Sequence, residues 1–208
     1  MPHAPNLFIE RASNMFTDPS RWLSSLITPM WIAWLAYWLI AARSAKATVR
    51  TEGLASRSLH WVPLLFAVWL LTARRMPIAV LNQTVLPRSI GLLAIAVALT
   101  AAGLAFAVWA RVHLAGNWSG TVTVKQEHSL VRSGPYRHVR HPIYTGLLLA
   151  LIGSALASDE WRGVLAVAIA FAAVWRKLLL EERWMTEVFG DDYRRYRREV
   201  PALIPFAH

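Results

Sequence analysis

Residues 142–180 read PIYTGLLLALIGSALASDEWRGVLAVAIAFAAVWRKLLL, two apolar runs separated only by Ser158, Asp159 and Glu160. Each run approaches the length needed to cross a hydrocarbon layer of about 30 Å at about 1.5 Å per helical residue. A three-residue connection allows one arrangement, an antiparallel helical hairpin. Asp159 is expected to cap the N-terminus of the second helix. On the first, Gly146, Ala150, Gly153 and Ala157 recur at spacings of four, three and four, so one face carries only small side chains and admits another helix, or a ligand, at close range.

Three further apolar runs precede the hairpin, at 22–42, 59–73 and 89–110. The chain is therefore expected to be an all-α integral membrane protein of about five transmembrane helices. Hydrophobic residues make up 56% of its 208 positions, more than a soluble core of this size requires. Several of the eleven Trp residues, among them Trp22, Trp38, Trp61, Trp109 and Trp161, fall near the ends of the runs. Amphipathic rings favour that depth in a bilayer, although bundle packing would explain many of them equally well. Residues 1–21 carry Glu10 and Asp18 and lead into a run too long for the apolar core of a cleaved leader, so a retained first helix is expected. The segment holding Phe8, Ile9, Arg11, Met15, Phe16 and Arg21 is expected on the membrane surface.

A net charge of +10 raises the question of nucleic acid. The basic clusters instead abut apolar runs, where they meet anionic headgroups. With the N-terminus outside, sixteen Lys and Arg fall on one side of a five-helix topology and six on the other. Positive-inside logic puts residues 111–141 and the C-terminal segment together on the cytoplasmic side. The absence of Cys excludes disulfides, thiolate nucleophiles and Cys-ligated zinc.

Two stretches flank the hairpin. Before it, Gly134-Pro135 marks a turn. Pro142 keeps His141 out of the α region and suits the first helical position, so His141 sits beside unpaired amides and the positive dipole end. Tyr144 falls in the first turn. Such an end receives polar or anionic ligand groups; as isolated residues, Arg137, Arg140, His141 and Tyr144 also suit a plain membrane-entry segment. At the far end of the hairpin stand Trp175-Arg176-Lys177 and Glu181-Glu182-Arg183. Ionisable groups this close to a span point to function, while Lys177 and Glu181 at i,i+4 also suit a simple ion pair. Arg176 and Glu181 are five apart and do not share a stripe, although both could still reach one site if the helix bends or ends between them. Beyond residue 180, Met185, Val188, Phe189, Tyr193, Tyr196 and Val200 alternate with Arg183, Arg194, Arg195, Arg197 and Arg198 in the manner of a C-terminal amphipathic interfacial helix. Gly190 is expected to divide it, Asp191 or Asp192 to cap the second piece and Pro201 to end it.

The decapeptide Arg137-His138-Val139-Arg140-His141-Pro142-Ile143-Tyr144-Thr145-Gly146, the Glu181-Glu182 pair, and Phe189-Gly190 with Tyr193, Tyr196, Val200-Pro201 and Pro205 together resemble the isoprenylcysteine carboxyl methyltransferase family and its phospholipid methyltransferase relatives. The likeness covers about residues 112–206. It divides the chain into variable N-terminal helices, residues 1–110, and a methyltransferase core, residues 111–208. It implies an S-adenosyl-L-methionine cofactor held between the segment before the fourth helix and the acidic end of the fifth. His128, Ser129, Leu130 and Val131 resemble a strand contacting the nucleoside. Tyr136, His141, Pro142, Ile143 and Tyr144 resemble the main cofactor-binding residues. Glu181 would hold the amino group of the methionine moiety with Glu182 in support, and Arg176 resembles an arginine holding a substrate carboxylate. A further polar residue is implied between Asn117 and Thr123, with Thr123 the candidate.

Methyl transfer from a sulfonium asks an enzyme to align the reactants and exclude water. A carboxylate acceptor is already ionised at neutral pH, whereas the amine of a phospholipid must first lose a proton to a general base such as Glu or His. A carboxylate acceptor is favoured, with a phospholipid amine as the alternative; an NADPH-dependent membrane reductase, for which no 2'-phosphate cluster is evident beyond the option left by Arg137 and Arg140, and a non-enzymatic membrane protein are the further alternatives. The expected partners are the lipid bilayer and a lipophilic small-molecule or lipidated substrate, with no nucleic acid and no metal, and the expected location is a bacterial inner membrane.

Overall fold

A computed structural model of the chain describes residues 19–43, 48–115, 118, 123–125 and 130–205. The expected surface segment before residue 19 lies outside them. Helices α1 (Pro19–Ser25) and α2 (Ile27–Ala42) run on from one another, followed by β1 (Thr48–Thr51), α3 (Leu54–Thr72) and α4 (Ile90–Leu114). Then come β2 (Thr123–Lys125), the hairpin α5 (Pro142–Ser158) and α6 (Trp161–Phe189), and α7 (Asp191–Glu199). Four segments, Pro19–Ala42, α3, α4 and α6, are long and apolar enough to cross a membrane; α5, with 17 residues, is shorter, about 26 Å.

The structure departs from the sequence reading in several places. The second span begins at Leu54 rather than 59, and the third runs to Leu114 rather than 110. A two-stranded antiparallel ribbon was not expected: Thr48 pairs with Lys125, Arg50 with Val124 and Thr51 with Thr123. α6 does not stop at residue 180 but continues through Glu181-Glu182 to Phe189, because Leu, Glu, Arg, Trp and Met are all compatible with a helix and no Gly or Pro interrupts them. Gly190, at φ +55°, ends it. Asp159 caps no N-terminus. It closes α5 in a left-handed conformation, and its carboxylate accepts the Leu86 amide at 3.0 Å. Gly190 occupies the N-cap of α7, and Asp191 falls in the first turn, bonded to Arg194 Nε at 2.9 Å.

The small-residue face of α5 packs against α4. A Cβ at Gly103 would lie 2.5 Å from Gly146 O, and one at Gly153 would lie 2.5 Å from Ala96 O. Gly146, Ala150 and Gly153 thus allow backbone-to-backbone approach, and Ala157 lies beyond, lining an outer pocket with Leu92 and Leu93. α3 packs on α6 through Ala67, Leu70, Ala166 and Ala170. Most of the large apolar side chains of α2 and α3, such as Leu35, Leu39, Leu65 and Trp69, face outward. In water such a surface would aggregate; in a bilayer it is solvated.

Two buried guanidiniums close helix ends. Arg111 donates to Ala41 O of α2 and, at 2.7 Å, to Ala115 O just past the end of its own helix. Arg162 donates to Ala73 O at the end of α3 and pairs with Glu160. Each supplies donors to carbonyls that the helix itself leaves open.

Candidate active site

The segment before α5 owes its shape to three local features. Gly134 has φ +56°, and a Cβ there would fall 2.3 Å from the His113 ring, so only glycine suits. It opens a 3-10 turn over Gly134–Arg137. After the turn the chain extends, and the residues following α7 hold it there: Arg140 N donates to Pro201 O at 2.9 Å, His141 N to Ala202 O at 3.0 Å, and Thr145 Oγ1 to Leu203 O at 2.7 Å. Tyr196 Oη donates to Tyr136 O at 2.5 Å, pinning α7 over the turn. Burial raises the phenol pKa of Tyr136, Tyr193 and Tyr196 well above the usual value.

The extended segment delivers His141 and Tyr144 to the acidic pair of α6. Tyr144 Oη donates to Glu181 Oε1 at 2.6 Å. The His141 and Tyr144 rings stack with centroids 5.6 Å apart. His141 lies between the carboxylates, with Nδ1 3.6 Å from Glu181 and Nε2 3.3 Å from Glu182. The two acids differ in surroundings. Glu182, whose side chain is 4% exposed, takes Arg140 Nη2 at 2.6 Å on one oxygen and Arg197 Nε at 3.1 Å on the other. Glu181 retains 22% exposure and has Lys177 Nζ at 4.0 Å. Lys177 also lies over the Tyr144 ring, 5.4 Å from its centroid.

The other expected site residues fall as follows. Pro142 is fully buried, while Leu130, Val131 and Ile143 are half-buried, the first two outside any strand. His128, Ser129 and Asn117 lie outside the described residues, and Thr123 is in β2. Arg137 is exposed. Arg140 is engaged by Glu182 and by the carbonyls of Arg197 and Val200, so the pair proposed for a 2'-phosphate is reduced to Arg137.

Arg176 neither bends towards Glu181 nor needs a helix break. α6 is continuous between them, and the five-residue offset turns their side chains about 140° apart. Arg176 reaches α3 instead: Nη1 donates to Ser56 O at 3.1 Å and Nη2 to Ser56 Oγ at 3.2 Å, with His60 Nδ1 3.5 Å from Nη1. Ser56 Oγ donates to Glu52 Oε2 at 2.8 Å, and His60 Nε2 faces Glu52 Oε1 at 3.3 Å. This polar group was missed in the sequence. Part of its signal was present, since Ser56 and His60 are spaced by four on one face of α3, whereas Glu52 precedes the helix and its N-cap Gly53.

The geometry defines a helical membrane protein whose ionisable side chains converge where α3, α5, α6 and α7 meet. Residues 92–192 match the family described as phospholipid methyltransferase, in line with the resemblance carried by the motifs of that stretch. The chain is 31% identical over 84 residues to a protein-S-isoprenylcysteine O-methyltransferase of Schizosaccharomyces pombe, covering 38% of this chain and 34% of that one. It is 31% identical over 88 residues to protein-S-isoprenylcysteine O-methyltransferase B of Arabidopsis thaliana, covering 40% and 43%. It is also 40% identical over 74 residues to a methanethiol S-methyltransferase of Mycobacterium tuberculosis, covering 35% and 29%. The chain thus spans less than half the length of these curated relatives.

Proposed function

We propose that the chain is an S-adenosyl-L-methionine-dependent integral membrane methyltransferase acting on a lipophilic acceptor, with a carboxylate as the favoured nucleophile. The observation that carries this reading is the 2.6 Å bond from Tyr144 to Glu181: it places a carboxylate that keeps solvent access beside the open N-terminus of α5. The side chains there fit the donor. Glu181 can receive an ammonium group, the first-turn amides of α5 have no carbonyl partner within the helix, and the stacked His141 and Tyr144 rings offer an aromatic wall. Bound S-adenosyl-L-methionine would supply a methyl group activated by a sulfonium.

The residues divide the work. Glu181 holds the amino group of the donor. Glu182, tied to Arg140, His141 and Arg197, supports it by fixing the segment that carries His141 and Tyr144. Leu130, Val131 and Ile143, half-buried, are assigned to the nucleoside side, with the buried Tyr136 and Pro142 packed behind them; His128 and Ser129 lie outside the described residues. Arg176 makes no ion pair among the described residues, and its three contacts are with neutral acceptors. Its charge is thereby available to the anionic group of an acceptor, which favours a carboxylate over an amine. The apolar outer face lets the acceptor's tail remain in lipid. The basic-residue count supports a cytoplasmic site in a five-span topology, with α5 as the short fourth span and α7 at the interface; the membrane we assign is a bacterial inner membrane.

A methanethiol S-methyltransferase among the relatives and the name of the matched family make a thiol and a phospholipid amine the competing acceptors. Incubation of the purified protein with methyl-labelled donor and, separately, N-acetyl-S-farnesylcysteine, phosphatidylethanolamine vesicles and methanethiol distinguishes them. Label is expected in the methyl ester of the first. Label only in the second or third would replace the carboxylate reading, and the absence of both transfer and S-adenosylhomocysteine binding would end the methyltransferase reading.

A further inference from the structure

The guanidinium of Arg176 is held in a defined orientation by α3, which lies outside the segment matched to the family. A guanidinium carries five N–H donors in a rigid plane. Here Nη1 faces Ser56 O at 3.1 Å and His60 Nδ1 at 3.5 Å, and Nη2 faces Ser56 Oγ at 3.2 Å. These contacts use the end formed by the two Nη atoms. The side edge, formed by Nε–H and the second Nη2–H, is uncommitted among the described residues, and this edge takes a carboxylate through two parallel hydrogen bonds.

The acceptors are themselves fixed. Glu52 is 4% exposed and His60 0%. One Glu52 oxygen takes the Ser56 hydroxyl at 2.8 Å, and the other faces His60 Nε2 at 3.3 Å. Arginine has no acceptor, so the contact with Arg176 requires a lone pair at His60 Nδ1, which leaves the proton of the neutral ring on Nε2, on the side of the Glu52 carboxylate. Glu52 therefore sets the Ser56 hydroxyl and the His60 tautomer, and these aim Arg176. A free arginine side chain loses rotamer entropy on ordering, a loss already incurred here before an acceptor arrives.

We propose that Glu52, Ser56 and His60 are positioning residues that pre-orient Arg176, so that its Nε edge receives the acceptor's carboxylate, and that α3 thereby sets acceptor recognition. The proposal rests on the methyltransferase reading above. The residues act through Arg176 and touch neither donor nor reacting atoms.

The test uses the full chain in detergent with two probes, S-adenosylhomocysteine for the donor side and N-acetyl-S-farnesylcysteine for the acceptor side. Ser56→Ala and His60→Ala are expected to raise the acceptor KM by about fivefold to thirtyfold while the S-adenosylhomocysteine Kd stays within about twofold. His60→Asn, which keeps an acceptor near the Nδ1 position, should recover part of the loss. An unchanged KM overturns the proposal, and so does a loss of KM, kcat and donor Kd in step with the melting temperature, which would mark a structural role. The contact is read without turnover by nitrogen-15 NMR of histidine-labelled protein. Arg176→Gln should move the His60 Nδ1 resonance, and no movement overturns the proposal. Wild-type protein that neither binds S-adenosylhomocysteine nor methylates the probe would instead end the methyltransferase reading, leaving the NMR result to decide whether His60 orients Arg176.

Discussion

Tyr144 and Glu181, 37 positions apart in sequence, meet in a 2.6 Å hydrogen bond that ties the first turn of α5 to the middle of α6's polar half. The bond sets the carboxylate's direction, and any cation recognised by Glu181 shares it with the phenol.

Removing the carboxylate should therefore weaken recognition without unfolding the bundle. Glu181→Ala is expected to weaken S-adenosylhomocysteine binding by about tenfold to a hundredfold, the equivalent of one charged hydrogen bond. Tyr144→Phe should cost less because the acid remains. Calorimetry of both variants, with a melt to confirm folding, checks this, and wild-type affinity in Glu181→Ala would reject the assigned site.

Glu182 behaves differently because it is buried and shared. Arg140, His141 and Arg197 all converge on it, so Glu182→Ala leaves the Arg140 guanidinium without its anion in a position 8% exposed. Breaking one member of a buried pair costs about 3–5 kcal/mol. The expected result is a lowered melting temperature together with faster proteolysis around α7, since Arg197 loses its anchor there.

The contact between α4 and α5 predicts a contrast between glycines. A Cβ at Gly146 would lie 2.5 Å from Gly103 O and 2.7 Å from Ala107 N, both backbone atoms, whereas one at Gly91 meets nothing within 4 Å. Gly146→Ala should destabilise by about 1–3 kcal/mol through overpacking. Gly91→Ala should be neutral or stabilising by up to about 1 kcal/mol through helix propensity. Thermal melts in one detergent compare them, and equal effects would refute the close approach.

Alkaline pH should loosen the region around α7. Burial holds the phenols of Tyr136, Tyr193 and Tyr196 protonated beyond the usual range, while an unfolded tyrosine ionises near about pH 10. The unfolded chain releases these protons first, so their contribution is intact below about pH 10 and declines as pH rises beyond it. Phenolate absorbance should show them ionising only with unfolding, and full ionisation of the folded protein near pH 10 would contradict this.

The hairpin, the turn at Gly134 and the helix start at Pro142 were legible because each follows from a local rule: a short connection, a glycine conformation, a proline's restriction on its neighbour; the meeting of His141 and Tyr144 with Glu181 was legible only through the family resemblance. The length of α6 was not. Glu181-Glu182-Arg183 looks like the end of a span because charge leaves the hydrocarbon there, yet nothing in those residues ends a helix. The Glu52–Ser56–His60 group was missed for another reason: three polar residues at the rim of an apolar run look like ordinary interfacial chemistry until Arg176, 116 positions beyond His60, arrives opposite them. The ribbon between β1 and β2 depends on a pairing 72 positions apart between its residues Thr51 and Thr123, which no local pattern announces.

At 29 residues α6 is about 43 Å long, so its polar end stands roughly 13 Å clear of a 30 Å hydrocarbon slab. A reagent dissolved in the bilayer reaches that height by lateral diffusion, with its tail immersed and its head already at the level of the protein's charged groups. Its effective concentration is then a mole fraction in lipid rather than a molarity in water. Saturation curves measured at different lipid-to-protein ratios should superimpose only when plotted against surface dilution.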